Sequence, residues 1–203
     1  MTDPVTAQAS LEAVLKDEII RLYQDVADNP RGEYHFFHGR EAAELFGYDP
    51  AWLDRAPAGA LACFAGVGNP HLRSAIQPGE TVLDLGSGAG LDAIIASWSA
   101  GPSGKVIGVD LNQSMCVKAQ AHAAASGARL DCRPGRMEAI PVPDAFVDIV
   151  ISNGVINLSF RKRQVIEELF RVLRPGGRCS IADIVSAKPL SQSIVNDPKL
   201  WAS

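Results

Sequence analysis

The spacing of apolar residues changes near residue 81. Over 11–26, apolar positions recur at helical spacing, which predicts an amphipathic helix outside the main sheet with Ser10 as its N-cap. Residues 29–80 are rich in glycine, proline and aromatic residues and predict one short helix at 39–46. We interpret this upstream stretch as a covering segment and not as a second globular domain.

From Thr81 onward, short apolar strands alternate with helical stretches. Strands are predicted at 81–85, 105–110, 128–133, 146–152 and 177–184. Helices are predicted at 91–99, 114–126 and 161–173. Such alternation is typical of an α/β fold in which helices cover both faces of a parallel sheet.

Composition and charge narrow the functional classes. The 203 residues are 47% hydrophobic and 21% charged, which suits one ordinary globular domain. The formal charge of −4 gives no electrostatic reason to bind nucleic acid or an anionic membrane. The sequence shows neither a long apolar span nor the pattern of a secretory signal. We therefore expect a cytoplasmic protein that binds neither nucleic acid nor a membrane, while its oligomeric state stays open.

The four cysteines are Cys63, Cys116, Cys132 and Cys179. They are far apart and form no C-x-x-C pair, so their spacing predicts neither a zinc site nor a disulfide framework. We interpret the last three as small apolar residues of the core. The role of Cys63, in a glycine-containing loop, stays open.

Two histidines, His35 and His38, form an H-x-x-H motif. They could act as a general-base pair or as half of a metal site, but no third ligand follows at a recognisable spacing. Their aromatic neighbours favour a packing role, and no metal site is predicted. His71 is interpreted as a loop residue and His122 as an exposed helix residue.

The segment VLDLGSGAGLD, residues 82–92, is a strand, a glycine-rich turn and a helix start. Gly86, Gly88 and Gly90 permit positive φ and close approach of a ligand to the backbone. Asp84 precedes the first glycine by two residues, and Leu91 replaces the small residue of the dinucleotide fingerprint. A carboxylate here repels phosphate but accepts hydrogen bonds from an ammonium group. The motif therefore disfavours a nicotinamide-dependent oxidoreductase.

Asp110 ends the second predicted strand, where an acid can accept hydrogen bonds from both hydroxyls of a ribose. The alternative role is a helix N-cap, which Ser114 suits better. After the fourth strand, Asn153, Gly154 and Asn157 stand beside apolar residues. Amides and a bare Cα at a strand end suit a ligand surface as well as a turn.

These motifs together resemble those of class I S-adenosylmethionine-dependent methyltransferases. The shared features are D-x-G-x-G-x-G, an acid ending strand two, and the P-G-G turn at 175–177 before strand five, and they cover about residues 70–184. The resemblance implies a Rossmann-like fold, S-adenosylmethionine as cofactor and a small acceptor. It identifies no catalytic residue. The implied cofactor-binding residues are Asp84, Gly86, Ser87, Gly88, Gly90, Asp110, Leu111, Met137, Glu138 and Asn153.

The stretches around G-N-P at 68–70, the glycine loop and SNGVINL at 152–158 are similar to those of the arsenite methyltransferases. In that family, cysteine thiolates hold soft trivalent arsenic beside the methyl group. Here Val67 and Gly154 stand at two cysteine positions, and the third lies one residue past 203. The resemblance implies an acceptor pocket at Val67, Gly154 and Asn157, with open volume above Gly154 for a different acceptor.

The resemblance divides the chain into an N-terminal helix and covering segment at 1–70 and a methyltransferase domain at 71–203. The family fold normally adds two strands after the fifth, so we expect the last two strands to be lacking. A C-terminally truncated domain without the family cysteines keeps an alternative open. In that alternative, the chain is a non-catalytic or fragmentary S-adenosylmethionine-binding protein.

Overall fold

The computed structural model describes residues 4–29, 32, 34–188 and 197. Five helices precede the sheet: α1 Pro4–Asp28, α2 Gly39–Leu45, α3 Pro50–Arg55, α4 Ala58–Ala62 and α5 His71–Ser74. Helices α3, α4 and α5 were not predicted from the sequence. The start of α3 follows a recognisable rule, because the Asp49 carboxylate accepts a hydrogen bond from the Ala51 N–H at 2.8 Å and Pro50 takes the first helical position.

The sheet of the described residues has five parallel strands in the order β3-β2-β1-β4-β5. The strands are β1 Thr81–Leu85, β2 Lys105–Asp110, β3 Asp131–Pro134, β4 Val147–Asn153 and β5 Leu173–Ala182. The remaining helices are α6 Leu91–Ala100, α7 Gln113–Ala125 and α8 Lys162–Val172, with a 3₁₀ turn at Ile156–Leu158. The predicted Rossmann-like α/β fold is confirmed.

Side chains of the strands alternate between the two faces of the sheet. One face packs against three alanines of α6 in a cluster with Val82, Val106, Ile149, Ala93, Ala96 and Ala100. The opposite face packs against α8 in a cluster with Leu83, Ile107, Val150, Val165, Leu169 and Val172. Helices thus cover both faces. The order in which successive strands are added reverses between β1 and β4, and α/β folds bind ligands at such a switch point.

The covering segment packs onto α6. Tyr48, Leu53 and Phe64 form one buried cluster with Leu91 and Ile95. This contact brings the covering segment to the carboxyl ends of the strands. The division at residue 70 and the lack of two further strands stay predictions.

Some local expectations were wrong. Asn112, and not Ser114, caps α7, because the Asn112 side chain accepts the Ser114 N–H at 2.9 Å. Cys179 is exposed, whereas Cys63, Cys116 and Cys132 are buried. Cys179 lies on β5, whose only strand neighbour in the described sheet is β4, so part of this strand is left uncovered. Among the described residues, no helix is long and apolar enough to cross a membrane.

Candidate cofactor and acceptor site

A cavity of about 480 Å³ lies at the carboxyl ends of the strands. Its walls come from the glycine loop 86–90, the end of β2, the turn 135–138, residues 153–155, the loop 64–66 and the inner side of α1. The volume suits a small organic ligand. Ten of the predicted site residues line it: Gly86, Ser87, Gly88, Gly90, Asp110, Leu111, Met137, Glu138, Asn153 and Gly154.

The three loop glycines have positive φ angles of +76°, +49° and +94° at Gly86, Gly88 and Gly90. A Cβ at Gly86 would lie 2.2 Å from Val155 Cγ2, and one at Gly90 would lie 3.0 Å from Ala119 Cβ. A Cβ at Gly88 would meet no atom of the described chain within 4 Å. The outer glycines are therefore needed for packing, and Gly88 leaves its backbone open to a ligand.

Asp110 is tied to the glycine loop. Its Oδ2 accepts the Gly88 N–H at 2.9 Å, and its Oδ1 accepts the Asn112 N–H at 2.8 Å. Burial raises the pKa of the Asp110 carboxyl, and these two backbone N–H groups oppose the rise. Each carboxylate oxygen can accept a second hydrogen bond, so Asp110 keeps capacity for a ligand in the cavity.

Asp84 lies behind the glycine loop and outside the cavity lining. It is buried, and its Oδ2 has no hydrogen-bond partner among the described residues. Burial, reinforced by Asp92 and Asp110, holds the pKa of the Asp84 carboxyl well above its usual range. A buried polar atom without a partner indicates a ligand or water that completes the site.

The side chain of Ser87 points away from a ligand, because its Oγ lies 3.2 Å from Cys132 Sγ. At the far end of the cavity, the Glu138 carboxylate accepts the Ser159 hydroxyl at 2.6 Å and approaches Arg136 Nε at 3.4 Å. Met137 packs against the sheet core. This end thus has one apolar and one polar side chain in fixed positions.

Asn153 uses its side chain to hold a wall of the cavity. Its Oδ1 accepts the N–H groups of Val67 at 2.9 Å and Gly68 at 3.2 Å. Its Nδ2 donates to the Gly68 carbonyl at 2.9 Å. The amide at the end of β4 therefore fixes the 66–68 loop.

The open volume expected above Gly154 is absent, and that expectation was wrong. Gly154 has φ +72°, and a Cβ there would lie 3.2 Å from Val67 Cγ1. The bulk of Val67 occupies the side that the glycine leaves free. Val67 and Asn157 lie outside the cavity lining. The Asn157 N–H faces the carboxylate of Asp183 at 3.3 Å.

Sequence reasoning missed the part that α1 plays. Its Lys16, Ile19, Ile20 and Tyr23 line the cavity. Gln24 joins this helix to Asn112, whose Nδ2 donates to Gln24 Oε1 at 3.0 Å. Burial raises the pKa of Tyr23 to about 12, and Asp110 and Asp183 act in the same direction. The periodicity predicted the helix but carried no signal for its partner 88 residues away.

A second missed feature is a buried polar group around Asp92. The Tyr48 hydroxyl donates to Asp92 Oδ1 at 2.6 Å, and His71 Nε2 lies 3.1 Å from the same oxygen. His71 begins α5 and its side chain is only 2% exposed, so its interpretation as a loop residue was wrong. An acid inside the apolar stretch LDAII was the signal that could have revealed a buried partner.

The other histidines and Cys63 also have definite places. His122 is half-buried and not exposed as expected, because its Nδ1 lies 2.9 Å from the Ala89 carbonyl. His38 packs edge-on against Tyr34 at 5.2 Å, whereas His35 is exposed. Cys63 lines the cavity. In the described part of the chain, no cluster of three or more histidines, cysteines and acids is suited to a metal ion.

A family model described as a methyltransferase domain matches residues 76–203. The chain belongs to this family. It is 43% identical over 160 residues to the arsenite methyltransferase of Halobacterium salinarum, covering 77% of this chain and 40% of that protein. It is 36% identical over 135 residues to the arsenite methyltransferase of Aquipseudomonas alcaligenes, covering 63% and 39%.

Among solved structures, an arsenic(III) S-adenosylmethionine methyltransferase from Chlamydomonas reinhardtii matches with a TM-score of 0.62. It is 33% identical and covers 79% of this chain and 53% of its own. The chain spans about two fifths of the length of the curated relatives it matches. The predicted likeness to class I S-adenosylmethionine-dependent methyltransferases, close to the arsenite methyltransferases, is confirmed.

Proposed function

We propose that this chain binds S-adenosylmethionine and transfers the methyl group to a small acceptor, as an enzyme similar to the arsenite methyltransferases. One observation carries the proposal. Asp110, at the end of β2, accepts the N–H of the middle loop glycine at 2.9 Å inside a cavity of about 480 Å³. An acid that is hydrogen-bonded in this way to an open glycine loop suits a particular kind of ligand. The ribose of this ligand binds the acid, and the rest of the ligand lies along the backbone of the loop.

The residues present fit this cofactor. The free lone pairs of Asp110 suit the two ribose hydroxyls, and the open side of Gly88 admits the ligand close to the backbone. The unpartnered oxygen of Asp84, which lies outside the cavity lining, suits an ammonium group through a bridging water. Met137 and Glu138 line the far end of the cavity, where we expect the adenine base to bind. When bound, S-adenosylmethionine supplies an electrophilic methyl group on a positively charged sulfur.

The chain's contribution to transfer is positioning and exclusion of water. The acids that line the cavity already accept hydrogen bonds: Asp92 from Tyr48, Asp110 from Gly88 and Glu138 from Ser159. Apolar side chains of Phe64, Val155 and Leu158 complete the wall near Gly154. This environment favours an acceptor that attacks through a lone pair and needs no strong general base.

A second candidate function is S-adenosylmethionine binding without catalysis. The specific observation in its favour is Val67 packed over Gly154, where the arsenite methyltransferase motifs have thiols. Cys63 is the only cysteine among the described residues that line the cavity, and a single thiol holds trivalent arsenic poorly. We therefore expect arsenite methylation to be slow or absent.

A turnover assay separates the two candidates. The protein is incubated with methyl-labelled S-adenosylmethionine and a panel of arsenite with glutathione, small thiols and small amines. Acceptor-dependent release of S-adenosylhomocysteine supports the enzyme. Binding of the cofactor without release for any acceptor supports the non-catalytic protein. Rapid arsenite methylation would contradict our assignment of Val67 and Gly154 to a changed acceptor wall.

The net charge of −4 supports a small-molecule partner over nucleic acid. We also propose that the protein is located in the cytoplasm. The cofactor of the proposed reaction is soluble, and among the described helices none is suited to cross a membrane.

A further inference from the structure

Tyr48, Asp92 and Asn153 meet in a buried polar group between the covering segment and the sheet, and His71 joins it with its Nε2 3.1 Å from Asp92 Oδ1. Asp92, in the first turn of α6, is 7% exposed. Its Oδ1 accepts the Tyr48 hydroxyl at 2.6 Å, and its Oδ2 accepts Asn153 Nδ2 at 3.1 Å. The Asn153 Nδ2 also lies 3.1 Å from the Tyr48 hydroxyl oxygen. Each pair of the three is thus linked directly.

This group ends at the wall of the cavity. The Asn153 side-chain oxygen, Oδ1, accepts the N–H groups of Val67 and Gly68. Val67 lies beside Gly154, which lines the cavity: a Cβ added at Gly154 would be 3.2 Å from Val67 Cγ1. An ionised carboxylate can only accept hydrogen bonds, so Asp92 holds the Nδ2 of Asn153 toward itself. The Asn153 oxygen therefore faces Val67 and Gly68.

We infer that Tyr48 and Asp92 are positioning residues that orient Asn153, and thereby hold Val67 against Gly154 at the acceptor end of the cavity. The inference rests on the proposed function, since it names what sets the wall beside the transferred methyl. It extends that function because it names the residues that set the position of the acceptor wall: Tyr48 of the covering segment and Asp92 of α6.

Packing alone does not account for the Tyr48 hydroxyl. The ring packs edge-on against Phe64 at 5.2 Å and against His71 at 6.1 Å. A phenylalanine would keep both contacts. The hydroxyl adds a hydrogen bond to a buried carboxylate, which is among the stronger kinds in proteins. Without such donors, a carboxylate at this depth would be costly.

The test uses Tyr48→Phe and Asp92→Asn in the full chain with labelled valine methyl groups. The readouts are the nuclear Overhauser cross peak between a Val67 methyl and the Gly154 Hα, and amide exchange at Val67 and Gly68. We expect both variants to weaken the cross peak and to speed this exchange by about tenfold, the effect of losing one hydrogen bond to a charged group. Tyr34→Phe is the matched control, because the Tyr34 hydroxyl donates to the Asn29 carbonyl at 2.9 Å, outside the cavity.

A merely stabilising role would lower the unfolding midpoint and leave the cross peak of the folded protein intact. That outcome in Tyr48→Phe, with unchanged exchange at Val67 and Gly68, would overturn the inference even if Asp92→Asn does not fold. Failure of the unmodified protein to bind S-adenosylhomocysteine is a separate result. It would contradict the proposed function and leave the measured link from Tyr48 to Val67 standing.

Discussion

Val67 and Gly154 are complementary in shape: a Cβ on Gly154 would lie 3.2 Å from Val67 Cγ1 and 3.4 Å from Cγ2. The backbone of Gly154 also has φ +72°, which L side chains rarely adopt. The two positions are therefore coupled. A larger residue at 154 meets both a strained backbone and a valine, so positions 67 and 154 have to change together.

Gly154→Ala is expected to destabilise the protein by about 1–2 kcal/mol from its left-handed backbone alone. Contact with Val67 adds to this, and a double-mutant cycle with Val67→Ala isolates the added part. Gly47→Ala is the control for strain alone, because Gly47 has φ +76° and no described atom lies within 4 Å of its Cβ position. Urea unfolding measures all variants. Equal losses in the two glycine variants would show that Val67 does not restrict position 154.

Gly88→Ala is expected to weaken binding of S-adenosylhomocysteine, because its methyl group would enter the cavity. Gly127→Ala is the matched control. Gly127 also has a positive φ, +69° against +49°, and lies outside the cavity lining. No described atom lies within 4 Å of its Cβ position. Both variants should lose similar stability, while calorimetric affinity should fall for Gly88→Ala alone. A parallel loss of affinity in both would mean that backbone strain, and not the cavity, explains the result.

Asp110→Ala is expected to weaken binding of S-adenosylhomocysteine about tenfold to a hundredfold, the usual cost of losing a charge-assisted acceptor. Asp131→Ala is the control, since this acid pairs with Arg133 outside the cavity. Isothermal titration calorimetry compares the two. Because Asp110 also holds the Gly88 and Asn112 N–H groups, circular dichroism should accompany the titration. An unchanged affinity in a folded Asp110→Ala protein would remove Asp110 from the site.

Asp84 should make both ligand affinity and stability depend on pH. Burial raises the pKa of its carboxyl, so its contribution to folding is present at low pH and is lost as the pH rises through that pKa. A ligand ammonium prefers the ionised carboxylate, so affinity should rise over the same range. Asp84→Asn should flatten both profiles, and the exposed-site variant Asp144→Asn should leave them unchanged. A pH profile of affinity that survives Asp84→Asn would assign the dependence to another group.

Local motifs revealed the fold and the cofactor end of the site. The strand periods and the positive-φ glycines are properties of short segments, so the loop 86–90 and the acid Asp110 could be recognised in the sequence. The exposure of Cys179 could not be recognised in the sequence, because it depends on which strands lie beside β5.

The acceptor end depends on contacts between distant segments. Tyr48 and Asp92 are 44 residues apart, and Val67 and Asn153 are 86 residues apart. Their side chains belong to no local periodicity or helix-capping pattern from which the pairing could be predicted. The interpretation of Gly154 as a mark of a changed acceptor stays a prediction, and only the fold shows that Val67 fills the space beside it.

The most direct test of a methyltransferase cofactor site is calorimetric titration of the unmodified protein with S-adenosylhomocysteine and, separately, with NAD. The geometry of Gly88 and Asp110 predicts saturable one-to-one binding of S-adenosylhomocysteine. It predicts no binding of NAD, because Leu91 stands where the dinucleotide fingerprint has a small residue. Binding of NAD without S-adenosylhomocysteine, by a folded protein, would contradict the account.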